Sequence, residues 1–261
     1  MRTSPDLGAF AQGAAQSAAD VLSRLRAKSP RVHCITNSVA QNFTANVLLA
    51  VGAQPSMTIA PEEIGHFAGG ADALLVNLGT FDRERAEAVD IAVAAAVAAQ
   101  RPWVLDPVLI DRSPPRAALA RDLLKRRPAA LRLNAAEFVA VGGKADAAAT
   151  RDFAAAHSTV VALSGATDLV ADGGRVAALA NGHPLMARIT AMGCASSALV
   201  AACLAVESDP FVASVAGMLI LGVAGEIAGE NAAGPGGLAV SILDSLYRLD
   251  PATLAARAKV S

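Results

Sequence analysis

The stretch from Ile189 to Val200 carries the residue types best suited to chemistry. Thr190, Gly193 and Cys194 precede a run of small apolar residues that has no charge until Glu207. The pattern predicts a strand end, a tight turn and a buried helix start, which presents unpaired N–H groups and a partial positive charge. We expect this helix start to bind a phosphate and to favour the thiolate of Cys194. An anion site beside a base suits phosphoryl transfer to a hydroxyl, whereas a small buried core residue is the plainer role for Cys194.

The elements that would position these residues alternate along the chain. Buried apolar strands, such as 73–78 and 103–105, alternate with helices of roughly 10–18 residues. This alternation predicts an α/β protein with three α/β/α layers around a mainly parallel central sheet, in one domain over residues 1–261. Asp172-Gly173-Gly174 predicts a hairpin turn near the end of the sheet. Thr36-Asn37-Ser38 would cap the helix that follows the first strand.

Polar side chains follow the predicted strands at their carboxyl ends, the edge where open parallel sheets bind ligands. They are Asn37, Asn77, Thr80, Asp106, Asn134, Glu137, Ser164 and the stretch from Thr190 to Cys194. Asp106 and Glu137 are two carboxylates beside a predicted phosphate site, which suits them to hold Mg²⁺ directly or through its waters. Arg132 could bind a nucleotide phosphate with its planar guanidinium, and a surface ion pair is its alternative role.

Composition and charge exclude several classes of protein. The chain is 54% hydrophobic and 17% charged, so it can bury a sizeable core and is not disordered. Its net charge is −1 and its basic run is limited to Lys125-Arg126-Arg127, so we expect no nucleic-acid partner. Two uncharged runs, 189–206 and 210–225, are separated by Glu207 and Asp209. We expect both runs to form buried helices of a soluble protein, with no membrane partner.

The cysteines indicate a cellular compartment, and the absence of common motifs limits the kinds of nucleotide and metal site that the chain could contain. Cys34, Cys194 and Cys203 are an odd set without C-x-x-C spacing, so we expect a reducing compartment and a cytoplasmic protein. The sequence contains neither G-x-x-x-x-G-K-[ST] nor G-x-G-x-x-G. The four histidines show no metal-ligand spacing, and we expect His33 to lie in a strand near a pocket.

Several motifs occur in the order typical of one family, from about Pro30 to Leu249. They are His33-Cys34-Ile35-Thr36-Asn37-Ser38-Val39, Asn42-Phe43-Thr44-Ala45-Asn46, Gly52-Ala53-Gln54-Pro55-Ser56-Met57, Asn77-Leu78-Gly79-Thr80, Leu105-Asp106-Pro107-Val108, Arg132-x-Asn134-Ala135-x-Glu137, Asp172-Gly173, Asn181-Gly182-His183-Pro184 and Gly193-Cys194-Ala195. Each motif is modest alone, but the set resembles the hydroxyethylthiazole kinase family over nearly the whole chain.

The resemblance implies a ribokinase-like fold and an enzyme of thiamin salvage. Such an enzyme phosphorylates 4-methyl-5-(2-hydroxyethyl)thiazole from Mg-ATP, and the family resemblance also implies a homotrimer with active sites between subunits. By position, the resemblance implies a base at Cys194, substrate contacts at Asn37, Met57, Ala191 and Gly193, ATP contacts at Arg132 and Ser164, and Mg²⁺ ligands at Asp106 and Glu137.

The phosphate end of the implied site departs from the family pattern. Ala191-Met192-Gly193-Cys194 stands where Gly-Thr-Gly-Cys is usual, so Ala191 replaces a freer glycine and Met192 replaces a hydroxyl. Ser164 stands for a threonine and Ala166 for a glutamate. Two alternatives therefore remain open. One is another ribokinase-like phosphotransferase, of the hydroxymethylpyrimidine type, and the other is a degenerate ligand-binding protein without turnover.

Overall fold

A computed structural model describes residues 7–142 and 144–261 of the chain. The strands in the described residues are β1 (Arg31–Ile35), β2 (Gln54–Ser56), β3 (Ala73–Asn77), β4 (Trp103–Asp106), β5 (Ala130–Asn134), β6 (Val160–Ser164), β7 (Asp168–Ala171) and β8 (Val176–Leu179). The α-helices are α1 (Leu7–Lys28), α2 (Gln41–Val51), α3 (Pro61–Gly70), α4 (Arg83–Ala98), α5 (Pro114–Leu124), α6 (Ala135–Val141), α7 (Ala147–His157), α8 (Met192–Leu204), α9 (Pro210–Gly229), α10 (Pro235–Arg248) and α11 (Pro251–Arg257). Two short 3-10 turns cover Ile110–Arg112 and Pro184–Arg188.

All these strands join one sheet in the order β2-β1-β3-β4-β5-β6-β7-β8. Strands β1 to β6 run parallel, and β7 and β8 extend the sheet as antiparallel strands. The register pairs Asn77 with Asp106 and Asn134 with Ser164, so the polar ends of neighbouring strands lie side by side. The predicted α/β class and mainly parallel sheet are confirmed.

Helices cover both faces of the sheet, because the central parallel strands are apolar on both sides. The side chains of β3 and β4 are buried throughout. One core lies between the sheet and the layer of α1, α2 and α8 to α11. The other core lies between the sheet and α3 to α7. These two cores give the three α/β/α layers that the sequence predicts.

The buried helices α8 and α9 form the centre of the larger core. They approach closely at Gly217, where a Cβ atom would lie 2.8 Å from the Cα of Val200. Among the described residues, α9 is the one helix long and apolar enough to cross a membrane, and 78% of its apolar window is buried inside the fold. The same length and composition are found in core helices of soluble proteins. The prediction that both uncharged runs form buried helices is confirmed.

The structure confirms the predicted hairpin turn but not the predicted cap of α2. The hairpin joining β7 and β8 turns at Asp172, whose Oδ1 accepts hydrogen bonds from the backbone N–H groups of Gly174 and Arg175. The predicted cap of α2 is wrong, because the helix begins two residues later than expected and its N-cap, Ala40, provides no side-chain hydrogen bond. Asn37 is instead buried and directed towards the start of α8.

Candidate active site

Most of the predicted site residues line one cleft of about 750 Å³ at the carboxyl ends of the parallel strands. Those that line it are Asp106, Arg132, Glu137, Ser164, Ala191, Gly193 and Cys194. Asn37 lies behind Cys194, in hydrogen-bond contact with the sulfur. Met57 does not line this cleft, because it follows the edge strand β2 and packs against the larger core. A larger surface cleft of about 1050 Å³ lies at the amino ends of β4 to β6 and contains none of the predicted residues.

The start of α8 forms one corner of the cleft and has the features of an anion site. Ala191 is the N-cap, with φ +68° and no side-chain cap, and the first backbone bond into the helix joins the N–H of Ala195 to the carbonyl of Ala191 at 2.9 Å. The N–H groups of Met192, Gly193 and Cys194 precede that bond and so have no partner within the helix. They lie in a partly positive field at the wall of the cleft, as the sequence predicts.

Arg132, in β5, lies against this helix start. A Cβ atom at position 193 would lie 2.6 Å from Nη1 of Arg132, so Gly193 leaves the space that the guanidinium fills. The buried Nε of Arg132 has no hydrogen-bond partner, and no ion pair among the described residues involves this side chain. The alternative role in a surface ion pair is therefore wrong for the described residues. A guanidinium with free donors suits a phosphate ligand.

A buried hydrogen-bond network joins Cys194 to Asp106. Nδ2 of Asn37 and Nδ2 of Asn77 each lie 3.2 Å from Sγ of Cys194. Nδ2 of Asn77 also donates to Oδ2 of Asp106 at 2.7 Å, and Oγ of Ser197 donates to the same oxygen at 2.9 Å. The sulfur therefore accepts two amide N–H groups and is linked through one of them to the carboxylate.

The two carboxylates predicted to hold Mg²⁺ differ in their hydrogen bonding. Glu137 accepts the backbone N–H groups of Leu109 at 2.7 Å and of Asn134 at 2.9 Å, which fixes its position at the start of α6. Oδ1 of Asp106 accepts no hydrogen bond from the described residues, although Oδ2 accepts two. No group of three or more His, Cys, Asp or Glu side chains in the described part of the chain is placed to hold a metal. The donor set fits a Mg²⁺ that shares its ligands with water and substrate phosphates.

The electrostatics of the site correct one prediction. Burial, and then the charge of Asp106, raise the pKa of Cys194 to about 12, although the amides of Asn37 and Asn77 and the charge of Arg132 oppose the rise. The expectation that the helix start favours the thiolate is therefore wrong, because desolvation of a nearly buried sulfur outweighs the helix field. Burial also raises the pKa of Asp106 to about 6, against the opposing charge of Arg132.

Several residues of the site received no role in the sequence analysis. Asn77 was identified only as a polar residue at a strand end, and Ser197 and Asp168 were not identified. Ser197 follows Gly193 by one helical turn, so the period of the helix could have placed it on the same side of α8, where its buried hydroxyl contacts Asp106 without lining the cleft. Asp168 lines the cleft near Arg132, but it begins the antiparallel strand β7, which carries no sequence signal for a site.

The fold and the site define the class of protein. In a mainly parallel sheet, the carboxyl ends of β4, β5 and β6 border a cleft with an uncapped helix start, a buried aspartate and an arginine that forms no ion pair among the described residues. A solved ribokinase-like superfamily protein from Enterococcus faecalis V583 has the same fold, with a TM-score of 0.65 over 88% of this chain and 89% of that chain, at 14% identity. The predicted ribokinase-like fold is confirmed.

Closer relatives define the family. A sequence model described as "Hydroxyethylthiazole kinase family" matches residues 22–252. A hydroxyethylthiazole kinase from Granulibacter bethesdensis is 46% identical over 248 residues, which cover 90% of each chain. The solved hydroxyethylthiazole kinase protein of Pyrococcus horikoshii OT3 superposes with a TM-score of 0.90 at 37% identity, over 94% of this chain and 98% of that chain. The chain belongs to the hydroxyethylthiazole kinase family.

Proposed function

We propose that this chain transfers the γ-phosphate of ATP to the hydroxyl of 4-methyl-5-(2-hydroxyethyl)thiazole, as a step of thiamin salvage. Membership of the family supports the reaction. The observation that carries it is the arrangement of the cleft, where the uncapped start of α8 lies beside the free guanidinium of Arg132 and the buried pair of Cys194 and Asp106. Phosphoryl transfer depends mainly on such positioning and charge stabilisation.

The phosphates would lie between the first turn of α8 and Arg132. Backbone N–H groups do not depend on side chains, so the start of α8 can bind an anion although Ala191 and Met192 replace the usual residues. The hydroxyl of Ser164 lines the same cleft and could contact the nucleotide. Asp106 and Glu137 would hold Mg²⁺ together with phosphate oxygens and waters. When bound, the cation supplies neutralising charge for the phosphates.

Cys194 would accept the proton of the substrate hydroxyl. As the alcohol oxygen bonds to the γ-phosphorus, the bond from that phosphorus to the ADP oxygen breaks, and the hydroxyl proton moves to the sulfur in its thiolate form. Burial and the charge of Asp106 raise the pKa of this thiol, so the thiolate is the minor form, and it is the form that would react. The amide N–H groups of Asn37 and Asn77 and the charge of Arg132 oppose the rise in pKa only in part. The products are thiazole phosphate, ADP and a protonated Cys194.

The thiazole would contact Asn37 and Met57, and the second contact implies more than one chain. Met57 follows the edge strand β2, outside the cleft. Exposed apolar side chains flank this region on α2 and α10, among them Leu49 (58% exposed), Val240 (64%) and Tyr247 (74%). We propose that this face joins three copies of the chain in a homotrimer, so that Met57 completes the substrate site at a subunit boundary.

We propose that the reaction takes place in the cytoplasm, without a nucleic-acid or membrane partner. Its proposed small-molecule partners are the thiazole alcohol and ATP. Cys34, Cys194 and Cys203 are all free and buried, which suits a reducing compartment.

A coupled assay of ADP release tests the function. Folded protein with ATP, Mg²⁺ and the thiazole alcohol should release ADP and form the phosphate ester, and excess EDTA should stop the release. Hydroxymethylpyrimidine in a parallel reaction should give at least about tenfold lower kcat/KM. If thiazole or nucleotide raises the melting temperature without any phosphate transfer, the chain is a degenerate ligand-binding protein and the proposal is wrong.

A further inference from the structure

Asn77 lies at the end of β3, and every hydrogen-bonding group of its side-chain amide has a partner within the site. The residue is 1% exposed. Its Nδ2 donates to Oδ2 of Asp106 at 2.7 Å and to Sγ of Cys194 at 3.2 Å. Its Oδ1 accepts from the backbone N–H of Gly79 at 3.0 Å and from Nδ2 of Asn37 at 3.2 Å. An amide has two N–H donors and two acceptor lone pairs, so no capacity is left over.

The neighbours of Asn77 leave only one orientation for this amide. The carboxylate of Asp106 accepts and the N–H of Gly79 donates, so a flipped amide would face oxygen with oxygen and N–H with N–H. Gly79 also permits the close approach, because a Cβ atom there would lie 2.9 Å from Nδ2 of Asn37 and 3.0 Å from Oδ1 of Asn77. The Asp106 carboxylate, the Gly79 N–H and the close packing at Gly79 therefore fix the position of Nδ2 of Asn77.

We propose that Asn77 is a positioning residue that holds the sulfur of Cys194 at a set distance from the carboxylate of Asp106. The inference rests on the proposed function, in which the sulfur receives the proton of the alcohol while the bond from the γ-phosphorus to ADP breaks. Without Asn77, the sulfur keeps the N–H of Asn37 and the carboxylate keeps the hydroxyl of Ser197. No hydrogen-bonded side chain would then link the base to the carboxylate.

A double-mutant cycle on phosphoryl transfer separates positioning from a merely structural role. Asn77→Ala should lower kcat by about 100-fold in the native background and change the KM values for ATP and thiazole by less than about threefold. In a Cys194→Ala background the same change should cost less than about tenfold, because the group that Asn77 positions is gone. Equal losses in both backgrounds, or an unchanged kcat, would overturn the inference.

A second variant guards against loss of folding. Asn77→Leu keeps nearly the same volume, places no charge beside Asp106 and removes both N–H donors, so the kcat of the folded variant should fall by a similar factor of about 100. A folded Asn77→Leu protein with native kcat would contradict the inference. The control is Asn231→Ala, which removes an exposed amide in the turn after α9 and should leave kcat unchanged.

Alkylation of Cys194 gives a readout that does not need turnover. Cys194 is 9% exposed at the cleft, whereas Cys34 and Cys203 are fully buried, so iodoacetamide should label Cys194 first. Losing an N–H donor from the sulfur should slow this labelling at least about fivefold in Asn77→Ala. Native protein that never transfers phosphate would remove the proposed function, whereas an unchanged labelling rate would remove the role of Asn77.

Discussion

At the scale of single residues, the site combines groups that burial makes costly and hydrogen bonds make stable. The carboxylate of Asp106 and the sulfur of Cys194 are both nearly buried, and amide or hydroxyl donors bind the sulfur and Oδ2 of the carboxylate, whereas Oδ1 of Asp106 accepts none from the described residues. The guanidinium of Arg132 also has no acceptor among the described residues, and it differs from the other arginines with an unpartnered buried Nε in lining the cleft beside the start of α8. Its donors are therefore available to the proposed phosphate.

Replacing Cys194 tests its proposed role as the base. Cys194→Ala should lower kcat by about 100-fold or more, because the hydroxyl proton loses its acceptor, and leave the affinity for ATP nearly unchanged. Steady-state kinetics and nucleotide titration measure the two effects. Cys203→Ala is the matched control, since Cys203 is buried in the same helix away from the cleft. Native kcat in Cys194→Ala would mean that the sulfur is only a small core residue.

Protonation of the buried His33 makes the free energy of unfolding depend on pH. It lies in β1 as predicted, and its ring bonds Oγ of Ser56 at 2.8 Å and the carbonyl of Thr58 at 3.0 Å, on either side of Met57. Burial lowers the pKa of His33 to about 4, against the opposing effects of the Thr58 carbonyl and of Glu63. The carbonyl only accepts, so Nε2 carries the proton and Nδ1 accepts from Ser56.

The sign of the pH dependence follows from that lowered pKa. Between its ordinary value of about 6.5 and about 4, His33 binds a proton in the unfolded chain but not in the folded one. Stability should therefore fall as the pH drops through this window, by roughly 3 kcal/mol from this residue. Urea unfolding at neutral and acidic pH should show a smaller difference in His33→Gln than in the native protein. His66→Gln, at an exposed position of α3, should leave the difference unchanged.

At the scale of elements, the site depends on how α8 begins. Ala191 adopts φ +68°, in the left-handed region where a Cβ atom is unfavourable. This conformation begins α8 at the wall of the cleft, which Met192, Gly193 and Cys194 line. The glycine usual in the family would adopt it without this cost. Alanine at position 191 instead of glycine therefore lowers the stability of the helix start. It leaves in place the backbone N–H groups that would bind an anion.

Restoring a glycine at the helix start should stabilise the protein. Ala191→Gly should raise the free energy of unfolding by about 1 kcal/mol, because it relieves the positive φ. Ala205→Gly is the matched control at the other end of α8, where φ is −68°, and it should lower that free energy by about 0.5–1 kcal/mol. Urea unfolding of both variants measures the difference. Destabilisation by both changes would show that the left-handed conformation at position 191 carries no cost.

At the scale of the whole molecule, one face of the chain exposes a sheet edge and apolar side chains. Within the described ranges, strand β2 pairs only with β1, and apolar side chains on α2 and α10 are exposed beside this edge. Exposed edges and apolar patches usually mark an interface. Because Met57 follows β2, the same face would connect assembly with binding of the thiazole.

A charge on this face tests the proposed homotrimer. Native protein should sediment as three chains, and Leu49→Asp should dissociate it, because a carboxylate would be buried at the interface. The same variant should raise KM for thiazole more than KM for ATP, whose cleft lies within one chain. Val97→Asp is the control, since Val97 is similarly exposed, at 53%, on α4 in the other helix layer. A native monomer would contradict the proposed assembly.

Local sequence patterns determined most of the fold and many of the site residues. The apolar runs of β3 and β4 predicted central strands, because only strands covered on both faces are apolar throughout. Asp106 and Ser164 were identified because parallel strands end at one edge, so the polar residues after them converge. Cys194 was identified from the pattern of a helix start, and the strand end predicted before it is wrong, because a 3-10 turn at Pro184–Arg188 precedes α8. These inferences need only the spacing of neighbouring residues along the chain.

Only the tertiary structure decided how distant residues act on one another. Asn37 is 157 residues from Cys194 along the chain, yet its amide contacts the sulfur instead of capping α2. The pKa of Cys194 is raised because packing removes water from the sulfur, a loss that no helix-start pattern records. Likewise, the bridge from Asn77 to both Asp106 and Cys194 requires the register of β3 and β4 beneath α8. Spacing specifies the elements, whereas packing between them sets the distances and desolvation on which the chemistry depends.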